Sequence, residues 1–191
     1  MVVRNRNLES LGRNVFLQRR VARSLSNEIE SAPSAAINPE TVVGHVHLKV
    51  ADLERSIRFY ADVLGFEVMQ RMGKSAAFLG AGDYHHHVGL NTWESRGGSP
   101  PPAASTGLYH VAFRYPDRAA LATAFRRLVE LSIPLEGAAD HGVSEALYLR
   151  DPDGNGVELY YDRPRQVWPR DPDGGLQMYT GTLDLEDLLR A

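Results

Sequence analysis

With no cysteine among its 191 residues, this chain can hold a metal only through His, Asp, Glu or Tyr. Disulfides, thiolate zinc sites and cysteine nucleophiles are excluded. Its seven histidines are therefore the first place to look for chemistry. His45 and His110 stand out because they recur in matching surroundings. Each precedes an aspartate by seven residues, Asp52 and Asp117, and both pairs are offset by 65 (110 − 45 and 117 − 52). Further on, "YLRDPDGNGVELYY" places Glu158 between Val157 and Leu159, so that in a strand the carboxylate shares the face opposite those apolar neighbours. Two imidazoles and one carboxylate suit a divalent iron or manganese that keeps open coordination positions.

The elements that must position these groups can be read from periodicity. "VGHVHLKV" alternates, with His45, His47 and Lys49 on one face and Val46, Leu48 and Val50 on the other. The period then changes. Asp52 is an N-cap, Leu53, Ile57, Tyr60 and Leu64 recur at helical spacing, and Gly65 sits where a helix ends. "FEVMQRM", "SAAFLGAG" and "HHHVGLNTW" read as three further strands, giving a βαβββ unit. After the glycine- and proline-rich loop 95–107 the pattern restarts. "YHVAFRYPDRAALATAFRRLVEL" is again strand, cap and helix, and "IPLEGAAD", "EALYLRD" and "GVELYYD" supply strands. The predicted fold is α+β: two βαβββ modules, about 42–94 and 107–163, forming a paired, curved mixed sheet around a metal cavity.

Three domains follow. An Arg-rich stretch, 1–38, with Leu8, Leu11, Val15, Val21 and Leu25 at helical spacing, reads as an accessory helix or arm; residues 39–163 carry both modules. Residues 164–191 form a tail with a short helix, and Trp168 anchors the strand before it. "DPDG" at Asp151 and again at Asp171 reads as a turn former, with no chemical role required. A net charge of −3 with 24% charged residues offers no basic excess for nucleic acid. No apolar run approaches the roughly 20 residues that cross a bilayer, and the N-terminus lacks the apolar core of a secretory signal, so a cytoplasmic protein is expected.

"GHVHLKVADLERSIRFYADVLGFEV" and "YLRDPDGNGVELYY" resemble the vicinal oxygen chelate superfamily, which includes glyoxalases, fosfomycin and bleomycin resistance proteins, and extradiol ring-cleaving dioxygenases. The resemblance spans residues 42–163. It implies that His45, His110 and Glu158 are metal ligands. Aligning the modules with Phe78 over Tyr148 puts Val88 opposite Glu158, so a fourth protein ligand is not expected there. Within the superfamily the chain looks most like the catechol 2,3-dioxygenases, and that likeness implies roles for three more residues. "HHVGL" makes His86 the acid and base, although a one-residue strand slip would turn His87 inward and revive a four-ligand site. Tyr148, ten residues before Glu158, would be a tyrosine behind the metal, and "HGVSEA" would carry a further histidine, His141, although its spacing to Tyr148 is shorter than in that family. His47 is read as structural.

The resulting expectation is an Fe(II) enzyme, with Mn(II) as the alternative ion, that opens an aromatic diol with O2, working as a homo-oligomer (a dimer). The other readings are a glyoxalase-like isomerase or thiol transferase, and a metal-free binding protein resembling the bleomycin-resistance members.

Overall fold

A computed structural model describes residues 36–191 of the chain. The expected N-terminal arm lies almost wholly outside the described residues. Of the unit Met1–Val42, residues 36–42 are described, and they contain a turn in which the Asn38 carbonyl accepts from the Thr41 N–H.

The unit Val43–Ala191 is built from the two expected modules. Module one runs β1 (Val46–Lys49), α1 (Leu53–Arg58), β2 (Glu67–Met72), β3 (Ala76–Gly80) and β4 (Val88–Asn91). Module two runs β5 (His110–Tyr115), α2 (Arg118–Glu130), β6 (Gly137–Asp140), β7 (Ser144–Arg150) and β8 (Gly156–Asp162). Each makes a four-stranded mixed sheet, ordered β1-β4-β3-β2 and β5-β8-β7-β6, in which the first strand lies parallel to the last. Local chemistry explains both helices. The Asp52 carboxylate accepts from the Arg55 N–H (3.0 Å), and Asp117 accepts from Ala120 (2.8 Å). Helix α1 then widens into a π-helical turn, Phe59–Val63, and the chain reverses at Gly65, whose φ of +89° is costly for any residue with a Cβ.

Two expectations about strands change. The histidine triplet is not strand: His85–His87 occupy the turn before β4, which begins at Val88, and His45 immediately precedes β1 rather than lying in it. Likewise β6 covers only the end of "IPLEGAAD". The tail forms α3 (Leu185–Leu189), capped by Asp184. It docks on α2: Leu188 is fully buried, and the Arg118 guanidinium bonds Asp187 at 2.8 Å. Trp168 donates from its indole nitrogen to the Arg163 carbonyl at the end of β8 (2.8 Å), the anchoring role expected of it. Among the described residues no helix is long and apolar enough to cross a membrane.

The apolar faces of both modules merge into one core, with Leu48, Val50, Ile57 and Leu90 from the first and Leu121, Leu128, Leu149 and Val157 from the second. Polar bonds fix the modules to one another through the turn "DPDG" between β7 and β8. Asp153 reaches into module one and accepts from the Ala51 N–H (3.0 Å), Arg55 Nη2 (2.6 Å) and Ser56 Oγ (3.1 Å). Beside it, the fully buried Tyr60 donates its hydroxyl to Asp151 (3.0 Å); burial, then the Asp151 charge, hold that phenol neutral by raising its pKa. The identical sequence at Asp171 folds the same turn, with Asp171 accepting from Asp173 and Gly175, yet bonds no second module. The turn is thus a lock only where it is buried.

This contrast is measurable. Asp153→Ala strands three donors and is expected to lower unfolding stability by about 2 kcal/mol, the exposed part of Arg55 limiting the loss because it rehydrates; Asp173→Ala is expected to leave the urea midpoint unchanged. Equal effects of the two substitutions would contradict a lock.

Candidate metal and acid–base site

The most complete assembly lies on one face of the second sheet. In the parallel pairing of β5 with β8, His110 sits beside Gly156 and Ala112 beside Glu158. A Cβ at Gly156 would stand 2.1 Å from the Tyr109 carbonyl oxygen, so only glycine lets the His110 strand approach this closely. The small Ala112 side chain leaves the surface above it open. Across it, His110 Nε2 and Glu158 Oε2 are 3.0 Å apart. On the other side of β8, Tyr148 is the direct cross-strand partner of Glu158 and donates its hydroxyl to Oε1 (3.1 Å). The same hydroxyl lies 2.8 Å from His141 Nε2. Burial, then the Glu158 charge, push the Tyr148 phenol up to about 12, which keeps it a proton donor at neutral pH. His110, Glu158, Tyr148 and His141 are thereby joined in one run.

His45 and His86 meet in module one, their rings 4.6 Å apart. His86 is also bonded through Nδ1 to His85 Nδ1 (2.7 Å), and among the described residues its Nε2 has no hydrogen-bond partner. Burial, then the neighbouring imidazoles of His45 and His85, hold His86 below the usual histidine value, so it is a neutral base near pH 7. His87 turns elsewhere, against Phe66 and Tyr84, with its Nδ1 buried and unpartnered. The ring beside His45 is therefore that of His86 and not His87, although the triplet forms a turn and not the strand on which either alternative was read.

Register also corrects the alignment of the modules. Val46 pairs with Val88 where Val111 pairs with Val157, so the counterpart of Glu158 is Gly89, not Val88. The β3–β4 connection is one residue longer than the β7–β8 connection: Phe78 faces Gly89, eleven residues on, while Tyr148 faces Glu158, ten on. A Cβ on Gly89 would stand 2.9 Å from the His47 ring. His47 therefore fills the space that Glu158 fills in module two, flanked by Phe78 (5.8 Å) and Trp93 (5.6 Å).

The donor set can be tested for a metal at the pair. Two ligands in adjacent positions, each about 2.1 Å from an ion, stand about 3 Å apart, which is the separation of His110 Nε2 and Glu158 Oε2. Their chemistry, neutral nitrogen and carboxylate, also fits. The third group does not join them: among the described residues no three His, Asp or Glu side chains are grouped to enclose an ion, and the His45 ring stays with His86.

The loop that carries His141 depends on residues absent from the sequence reading. Arg163 grips Asp140 with both terminal nitrogens (2.5 and 2.9 Å) and also bonds Glu145 (2.8 Å). His141 Nδ1 lies 2.9 Å from the backbone oxygen of Tyr179. An Asp–Arg pair 23 residues apart has no local periodicity to reveal it, and a carbonyl contact has no residue type at all.

The model of the Glyoxalase/Bleomycin resistance protein/Dioxygenase superfamily matches residues 42–159. A catechol-2,3-dioxygenase of Bacillus subtilis (strain 168) is 44% identical over 155 residues, 81% of this chain and 53% of that protein. A biphenyl-2,3-diol 1,2-dioxygenase of Rhodococcus globerulus is 35% identical over 122 residues, 63% of each chain. This chain thus spans about half to two thirds of the length of these relatives. Among solved structures, a glyoxalase/dioxygenase from Nostoc punctiforme superposes with a TM-score of 0.57 at 22% identity, covering 71% of this chain and all of that one. That likeness bears on the fold, which is the same paired-module architecture.

A pH dependence follows from the Asp140 clamp. Arg163, then the Gly142 N–H, hold the Asp140 carboxyl below its ordinary value of 3.8. A folded-state pKa below the unfolded one adds stability above pH 3.8 that disappears as pH falls through the folded value. Asp140→Asn is expected to be less stable than the native chain at pH 7, with the difference shrinking below pH 3.8. Thermal unfolding across that range checks it, and a difference that persists at low pH would contradict the clamp.

Proposed function

We propose an activity for a chain whose family is established: it belongs to the Glyoxalase/Bleomycin resistance protein/Dioxygenase superfamily, and the reaction its site supports best is extradiol cleavage of a catechol-type diol with O2. The observation that carries this reading is the run from His110 through Glu158 and Tyr148 to His141, a ligand pair backed directly by a phenol and an imidazole. Relatives named as dioxygenases of catechol and of a biphenyl diol support it.

Divalent iron or manganese would be held by His110 and Glu158, with His45 turned from His86 to join them, and would bind and activate the diol and O2 and lower the phenolic pKa. An ionised Glu158 leaves such a site one net positive charge, which a diol monoanion neutralises. The bound diol then keeps one proton. His86 would take that proton at Nε2 as the neutral tautomer that donates its Nδ1 hydrogen to His85. Tyr148, a donor at neutral pH whose hydroxyl lies between Glu158 Oε1 and His141 Nε2, would offer its proton at the site, with His141 behind it to exchange the proton. Both atoms of O2 end in the ring-opened product.

Anaerobic loading with Fe(II) or Mn(II), then a catechol, then air, is expected to give oxygen uptake and a yellow ring-opened product. His86→Phe is expected to keep the metal but slow turnover about 100-fold or more; unchanged turnover would remove His86 from the mechanism. Metal binding without oxygen uptake would favour a glyoxalase-like isomerase or thiol transferase, and a protein that takes up no metal would favour a binding protein.

A further inference from the structure

Besides docking α3 on α2, the tail meets the second sheet at the His141 loop. Gly181 and Asp140 form a two-way backbone bridge, Gly181 N–H to the Asp140 carbonyl (2.7 Å) and Asp140 N–H to the Gly181 carbonyl (3.0 Å). The Tyr179 N–H points back to the His141 carbonyl (3.4 Å), and Gln177 is tied to Pro169 (3.0 Å). Packing is as close as the bonding. Gly142 has φ +75°, and a Cβ there would lie 2.5 Å from the Tyr179 ring and 2.6 Å from Pro169. This leaves the Tyr179 carbonyl 2.9 Å from His141 Nδ1, with the Thr180 hydroxyl at the 3.5 Å limit of bonding.

A carbonyl oxygen has no proton to give, so Nδ1 must carry the hydrogen of this bond. In a neutral imidazole the other nitrogen is then a lone pair. We propose that residues 177–181 are a positioning strap for His141: the Tyr179 carbonyl fixes the ring as its Nδ1–H tautomer and turns Nε2, as an acceptor, onto the Tyr148 hydroxyl. The consequence lies in proton accounting. Tyr148 has one hydroxyl proton and two acceptors within reach, His141 Nε2 at 2.8 Å and Glu158 Oε1 at 3.1 Å. With its tautomer fixed, His141 competes for that proton and leaves the Glu158 carboxylate less engaged, free to act as an anionic ligand. It also sets direction: His141 can receive a proton through Tyr148 but has none to give at Nε2 until it does. The strap is thus a positioning element that acts on the site entirely through a backbone atom. The functional half of this inference rests on the proposed dioxygenase reading, while the tautomer does not.

The test uses the full chain, metal-free, with 15N-labelled histidine, and reads the two ring nitrogens of His141 at pH 8 by long-range 15N–1H correlation; His141→Gln identifies the signal by its loss. The native protein is expected to show Nδ1 protonated and Nε2 bare. An Nε2–H ring in the native protein would overturn the proposal without need of any variant. Gly181→Pro removes the N–H that ties the strap to Asp140 and is expected to shift His141 toward the Nε2–H form that a free imidazole prefers. Gly181→Ala keeps that N–H, its Cβ meeting nothing nearer than 3.4 Å, and is expected to keep the native tautomer. In metal-loaded protein, Gly181→Pro is expected to lower kcat for a catechol ten-fold or more with little change in KM, and Gly181→Ala to keep the native kcat. A tautomer that moves with no change in kcat, or a tautomer unmoved in Gly181→Pro, would overturn the strap's role. The expected tautomers in a protein that consumes no oxygen would sink the dioxygenase reading and leave the strap standing.

Discussion

Two buried carboxylates decide how the halves of this molecule meet. Asp151 and Asp153 sit in the turn between β7 and β8, the strand that carries Glu158, and bond the backbone at Ala51 before α1, Arg55 and Ser56 in it, and Tyr60 in the π-helical turn after it. A carboxylate removed from water is costly unless donors surround it, and here most of the donors come from the other module. The turn therefore tolerates only one docking of module two on module one. Phe66 against Phe113 (5.0 Å) and a shared apolar core add attraction to that arrangement. Because β1 follows His45 and runs directly into Ala51, and β8 leads away from Asp153 to Glu158, the same lock governs where the histidine of one module stands relative to the carboxylate of the other.

The modules share a frame but differ in chemistry, and the difference is a trade of volumes on one row of each sheet. In module two the row holds Ala112, Glu158 and Tyr148, with the small residue on the first strand and polar groups on the next two. Module one reverses it: His47 is on the first strand, Gly89 lies under its ring, and Phe78 replaces the tyrosine. A carboxylate at position 89 would have to displace the His47 ring. The repeat thus produces one face that carries the His110–Glu158 pair, and the other becomes an aromatic wall of His47, Phe78 and Trp93.

What the sequence made legible was local. Asp52 and Asp117 announce their helices because a cap acts within three residues, and the alternation of Val157, Glu158 and Leu159 turns the carboxylate away from the apolar face because a strand has period two. The internal repeat and the family resemblance, not these local signals, brought His110 and Glu158 together, and the structure sets them 3.0 Å apart. Other features depend on lengths and contacts that no window contains. The one extra residue between Phe78 and Gly89 moved the expected counterpart of Glu158 by one position, and it falls in the connection that holds His85–His87, which is a turn where alternation had predicted strand. Nothing in "DPDG" distinguishes the buried lock at Asp151 from the solvent-facing copy at Asp171, since their difference is what surrounds them. The hold on His141 was invisible for a simpler reason: a backbone oxygen supplies it.

The central claim is that imidazoles from both modules and the carboxylate of β8 serve one ion, although His45 now rests against His86. A crystal of the Mn(II)-loaded protein, with the ion located by its anomalous scattering, tests this most directly. The account predicts a single strong site bonded by His45, His110 and Glu158, with Tyr148 close by but not coordinated. An ion held without His45, or one seated between His85 and His86, would contradict it.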